Sequence, residues 1–329
     1  MKKRTKQTFQ VMISFLVAGT IFYYLYKDID PQSILTALEK TNLFWVGASV
    51  FISIFGYVLR AWRWKLLIET GEKFPISIFK VFWSLMFGYL INLVLPRAGE
   101  VARCGAVQKS HRVEWGKLFG TVVLERTIDM LFMVLMVLLA FLLEGRVFVE
   151  IFHLLISPES LWAFFENYFP LAMVLISGFL VFLYFLYIIF RKHDIFKKAR
   201  WFLRQFVSGL ETVFKLKNQW GFWISSVVIW IIYFFMMFWV AKAMPATSSL
   251  TASSVLLVMV MGSIGMVAPV QGGIGTFHAM VAFILLFFGI EEEQGKIFAI
   301  VVHGSQMFTI LGFGLISLIF LANNRQKQP

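Results

Sequence analysis

Apolar positions along this chain fall into long blocks separated by short polar and basic ones. Long, mainly apolar runs lie near 8–26, 43–65, 118–143, 168–190, 221–242 and 296–321. A hydrocarbon core about 30 Å thick needs roughly 20 apolar residues per helix, so each run predicts one membrane span. Two further runs are interrupted. Residues 77–95 meet Pro96 and Gly99 and resume as a shorter stretch, 98–110. Residues 252–268 meet Pro269, Gly272, Gly273 and Gly275 and resume as 276–289. Proline removes a backbone donor and glycine loosens a helix. A broken helix at membrane depth is tolerated only inside protein or beside a water-filled cavity. Both interrupted runs therefore predict re-entrant or broken-helix hairpins. The expectation is an all-α polytopic membrane protein, a single domain with about eight membrane segments.

Composition agrees with that pattern. Hydrophobic residues make up 59% of the chain and charged residues 15%, against about a quarter charged in soluble domains. One core could not hide that much apolar surface. The single cysteine, Cys104, excludes an intrachain disulfide framework and a cysteine-rich metal site. Neither a metal nor another cofactor is expected. The basic stretch Met1 to Lys6 leads into an apolar run too long for a signal-peptide core and without a convincing cleavage site, which predicts a retained first helix.

The net charge of +12 is compatible with nucleic acid, but the basic residues sit in short blocks between apolar runs, the pattern that orients membrane helices. With the N-terminus in the cytoplasm and each hairpin returning to its own side, cytoplasmic segments hold 24 of the 30 Lys and Arg residues. Outer segments hold five, and Arg126 lies within a helix. The positive-inside bias thus places both termini in the cytoplasm of a plasma (inner) membrane protein. Each half then reads helix, helix, hairpin, helix, with the hairpins entering from opposite faces. Inverted repeats near 1–145 and 165–322 are expected, with Pro96-x-x-Gly99 matching Pro269-x-x-Gly272, and such repeats place a transport site at their interface. Two segments read as interfacial: a basic amphipathic stretch at 195–214 and an aromatic, acidic one at 150–166.

Candidate chemistry gathers at the breaks. Asn92, Arg97, Glu100 and Arg103 surround the first. Unpaired N–H groups at the start of a half-helix favour an anion, and arginines add bidentate phosphate contacts; a loop of solvated charges is the alternative. Arg60 and Arg63 share a face at i, i+3 beside Trp62 and Trp64, suiting either a lipid phosphate or plain interfacial anchoring. Glu125, Arg126 and Asp129 share helix faces early in the fourth span and must pair or face a cavity. A structural role is expected for them, with Glu125 or Asp129 clamping Arg97 or Arg103. At the second break, Gly272 and Gly273 free backbone donors, and His278 can meet His303 of the last span, as a proton-sensing pair or as two neutral hydrogen-bonded rings. No HExxH, GxSxG or Walker motif occurs.

The segments Asn92 to Arg103, Val123-Leu-Glu125-Arg126-Thr-Ile-Asp129 and Pro269 to Gly275, with Arg60 to Trp64, resemble the lysylphosphatidylglycerol synthase transmembrane region, or flippase-like, family. The resemblance covers essentially the whole chain. It implies a lipid-translocating membrane domain. In the full synthases a soluble aminoacyl-transferring domain follows; this chain ends at Pro329, so that transfer activity is expected to be absent. Gln271 stands where the family often has a second proline, and His278 where it often has a glutamate. His303 stands where a basic residue is common in the last helix. A different headgroup or a changed gating pair fits these departures.

The leading expectation is a flippase or scramblase-like transporter of an anionic phospholipid or polyprenyl-phosphate lipid, with membrane lipids as partners and no nucleic acid. The alternatives are a non-transporting membrane partner of a glycosyltransferase or lipid-modifying enzyme, and an integral-membrane transferase acting on a lipid-linked substrate.

Overall fold

A computed structural model of the protein describes residues 19–70, 75–95, 97–111, 113–155, 216–268 and 270–323, with isolated positions 16, 173, 177, 178 and 184. The spans expected at 168–190 and, in its first part, at 8–26 lie outside the described residues. So do the amphipathic stretch at 195–214, most of 150–166, and both Pro96 and Pro269.

All regular structure among the described residues is helical. Residues 19–26 are helical and lead into α1 (Pro31–Glu39), α2 (Leu43–Glu69), α3 (Ile78–Val94), α4 (Ala98–His111), α5 (Trp115–Leu143) and α6 (Gly145–Leu155). After the undescribed stretch come α7 (Gln219–Ala243), α8 (Ala252–Gly265), a single 3₁₀ turn (Gln271–Gly273), α9 (Thr276–Leu286) and α10 (Glu292–Asn323). Among the described residues, α2, α5, α7 and α10 are long and apolar enough to cross a membrane. Helix α1 falls in a stretch expected to be a loop. Its signal is local: Asp30 Oδ1 accepts from the Gln32 N–H at 3.1 Å and Pro31 occupies the first turn, a capping pair that starts helices. Asn42 caps α2 the same way, accepting from the Phe44 N–H.

Both interrupted runs fold into helical hairpins. Helix α3 ends at Val94, and α4 starts at Ala98 and packs back along it. The crossing is so close that a Cβ built on Gly99 would lie 2.0 Å from the Gly88 carbonyl oxygen and 2.6 Å from the Asn92 amide. In the second hairpin, a Cβ on Gly265 would lie 2.7 Å from the Thr276 carbonyl oxygen, and one on Gly262 2.7 Å from the Phe277 ring. Small residues at helix crossings let backbones approach where lipid offers no hydrophobic force to bring helices together. Gly99→Ala should therefore cost about 1–3 kcal/mol, as overpacked interiors do. Gly47→Ala on α2, where nothing lies within 4 Å of the new methyl, should leave stability unchanged. Thermal unfolding of both variants in detergent checks the contrast.

Helix α2 pairs with α7, and α10 packs on both α3 and α9. One apolar core joins α7 to α10 through Val255, Leu257, Ile284 and Phe298; a second joins α2 to α5 through Trp64, Ile68, Leu85 and Leu118. Outside them, α5 exposes Met130, Val134, Leu138 and Leu142, and α10 exposes Phe308, Leu315 and Ile319. Apolar faces of this extent suit contact with lipid.

Candidate functional site

The first hairpin, the end of α2 and the start of α5 converge on one cluster of buried charge. Helical spacing puts Arg60 and Arg63 on one face of α2, and Glu125 and Asp129 on one face of α5. The two faces meet. Arg60 Nη2 lies 3.0 Å from Glu125 Oε1 and 3.1 Å from Asp129 Oδ2. Arg63 Nη2 lies 2.6 Å from Asp129 Oδ1 and 3.7 Å from Glu125 Oε1. Arg126 reaches Glu125 Oε1 at 3.0 Å. Helix α4 delivers Arg103, whose Nη1 lies 3.0 Å from Glu125 Oε2. Glu125 thus touches all four guanidinium groups while fully buried, and Arg63 is 0% and Arg103 3% exposed.

Aromatic and hydroxyl groups complete the surroundings. The Arg103 guanidinium lies over the Trp64 ring, 4.4 Å from its centroid, and Trp64 Nε1 donates to Thr121 Oγ1. Arg60 donates to the Tyr233 hydroxyl and lies 5.9 Å from the Tyr89 ring centroid. Arg63 donates to Ser226 Oγ at 3.2 Å. The network is therefore four arginines on two carboxylates, an excess of positive charge within the protein. Several donors in it have no hydrogen-bond partner: Nη2 of Arg103, Nε of Arg60 and of Arg63, and the Tyr89 hydroxyl. The carboxylate oxygen Glu100 Oε2 is buried without one as well. Surplus donors around surplus cations suit an anion rich in acceptor oxygens.

The expected site residues separate into groups. Arg103, Glu125, Arg126 and Asp129 come together, and the clamp expected on Arg103 is present. Arg97 is not clamped. It is exposed at the turn of the first hairpin with a φ of 63°, and its Nη2 donates to the Val267 carbonyl oxygen at 3.4 Å, linking the turn to the second hairpin. Asn92 is committed to the break: its Oδ1 accepts from the Gly99 N–H at 2.7 Å, satisfying an orphan donor in the first turn of α4. Arg60 and Arg63, read as interfacial, point into the protein instead. Their reassignment has a tertiary cause, since the carboxylates of α5 lie opposite their face and ion pairing there replaces headgroup contact.

The glycine-rich turn uses backbone conformations that other residues rarely adopt, with Gly272 at φ 54° and Gly273 at φ 76°. A Cβ on Gly272 would lie 2.4 Å from Met307 Cε, and one on Gly273 2.2 Å from Met266 Sδ. Gly272 serves close packing between hairpin and α10, and Gly273 close packing within the hairpin. His278 and His303 do meet, with ring centroids 4.9 Å apart and both 5% exposed. His278 Nδ1 accepts from the Gly275 N–H at 3.3 Å, and Phe22, Tyr26 and Phe277 surround the pair. No group of three or more His, Cys, Asp or Glu suited to a metal occurs among the described residues.

Sequence reasoning missed Tyr57, Tyr89, Ser226 and Tyr233, which line the charge cluster or its rim. A signal existed for two of them: in the apolar run 221–242, Ser225, Ser226 and Tyr233 are the polar positions before Lys242.

The sequence profile described as lysylphosphatidylglycerol synthase TM region matches residues 11–314. The "UPF0104 membrane protein MJ1595" of Methanocaldococcus jannaschii is 29% identical over 182 residues. That match covers 54% of this chain and about half, 51%, of the relative. No solved structure matches the chain significantly.

Proposed function

We propose a function from one premise: the chain belongs to the lysylphosphatidylglycerol synthase TM region family. On this reading it is a transporter that carries a phosphate-bearing lipid between the leaflets of the plasma (inner) membrane, with both termini in the cytoplasm. The two hairpins are re-entrant, the halves are inverted repeats, and the lipid phosphate is held where the first hairpin meets the charge cluster. Arg103 makes the contact, Glu125 and Asp129 hold the arginines in place, and Arg97 at the hairpin turn meets the headgroup first. His278 and His303 line the second hairpin's side of the path.

One observation carries this reading. Arg103 is buried on the broken segment; its Nη1 is ion-paired to Glu125 Oε2 at 3.0 Å, while its Nη2 has no hydrogen-bond partner. A buried guanidinium donor left open is costly unless a ligand completes it.

Purified protein in liposomes tests the proposal. Labelled phospholipids placed in the inner leaflet should reach the outer leaflet faster than in protein-free liposomes. If every phosphate lipid crosses at the protein-free rate, the transport reading fails and the protein is better sought as a membrane partner of a lipid-modifying enzyme.

A further inference from the structure

The charge balance of the cluster says more about the ligand than that it is an anion. Arg60, Arg63, Arg103 and Arg126 each lie within 4 Å of Glu125 or Asp129, so six side chains form one network with two positive charges in excess. Glu100 stands outside it: one turn before Arg103 on α4, it forms no ion pair among the described residues, and its buried Oε2 has no hydrogen-bond partner. Arg97 is exposed and bonded to the second hairpin, so it does not enter the balance either.

In low dielectric an unbalanced charge is expensive. A phosphodiester headgroup carries one negative charge and two terminal oxygens, and would leave the network with one positive charge unmatched. A phosphate monoester carries up to two charges and three terminal acceptor oxygens. It neutralises the network and offers one more acceptor to donors that now lack one: Nη2 of Arg103, the Nε atoms of Arg60 and Arg63, and the Tyr89 hydroxyl. Resting on the lipid-phosphate reading above, we infer that the site selects a terminal phosphate monoester dianion, the headgroup of a phosphatidic-acid-like or polyprenyl-phosphate lipid, over a phosphodiester.

The test uses the full chain in nanodiscs and three probes: phosphatidic acid, phosphatidylglycerol and inorganic phosphate. At pH 8, phosphatidic acid should bind at least about tenfold more tightly than phosphatidylglycerol, the effect of one more charge-assisted contact. The preference should shrink at pH 5, below the second phosphate ionisation near about 6, while phosphatidylglycerol binding stays level. Arg126, the most exposed of the four arginines at 45%, can be changed with least harm to folding. Arg126→Gln should abolish the preference for phosphatidic acid over phosphatidylglycerol, and Arg126→Lys should keep it. Equal binding of the two lipids by the parent overturns the inference and leaves the phosphate site standing. Failure of both lipids to bind overturns the phosphate reading together with the inference. Inorganic phosphate binding as tightly as phosphatidic acid supports the dianion and sinks the lipid.

Discussion

Glu125→Gln is expected to destabilise the protein by about 3–5 kcal/mol, the usual cost of removing one partner from a buried ion pair. The side chain is fully buried and touches four arginines: Arg60 at 3.0 Å, Arg63 at 3.7 Å, Arg103 at 3.0 Å and Arg126 at 3.0 Å. Without its charge, Arg60, Arg63 and Arg126 share Asp129, and Arg103 loses the carboxylate it pairs with. Helices α2, α4 and α5 are held together at this point, so the loss should appear as a lower unfolding temperature in detergent and as reduced yield. Glu125→Asp keeps the charge and should recover part of the loss. A parent-like unfolding temperature for Glu125→Gln would mean that the ion pairs hold nothing together.

Arg103→Lys should weaken lipid-phosphate binding about tenfold to over a hundredfold while the protein still inserts and folds. A charge-assisted hydrogen bond contributes roughly 1.5–3 kcal/mol, and lysine reproduces neither the planar fork nor the stacking over Trp64 at 4.4 Å. Arg103→Ala should lose more binding and some stability, because Glu125 Oε2 loses the cation 3.0 Å away. The pair Arg103→Ala with Glu125→Gln separates two roles. Relative to Glu125→Gln alone, it removes one of the unmatched cations and should restore folding without restoring binding. If Arg97→Lys and Arg103→Lys both bind and translocate every anionic lipid like the parent, the phosphate site is wrong. Arg103 would then be a clamp, and the second hairpin becomes the place to look.

The all-helical character, most described spans and both break positions were legible in the sequence, because each depends on local properties. An apolar run such as 221–242 can satisfy its backbone in lipid only as a helix, and Gly99, Gly272 and Gly273 announce a break wherever they stand. Even the missed α1 had a local signal in Asp30 and Pro31. A contact between Glu125 or Asp129 and one of Arg97 and Arg103 was expected for a general reason, since opposite charges beside a membrane must find each other; which of them pair was left open.

What only the tertiary structure decided is which charges meet and which face outward. Arg60 and Arg63 at i, i+3 specify a shared face, yet the same spacing serves headgroups or a neighbouring helix. The carboxylates of α5 and the hydroxyls of Ser226 and Tyr233, 163 and 173 residues away in the chain, settled that face as buried. Arg97 and Arg103 are alike as letters six positions apart. One sits exposed at a hairpin turn and the other lies under Trp64 in the charge cluster, because α4 folds back on α3 at Gly88 and Gly99 and carries only its later turns inward. Hydropathy and breaks are properties of a segment, so the sequence alone determined them; the net charge of a buried cluster is a property of three helices packed together, and no single segment contains it.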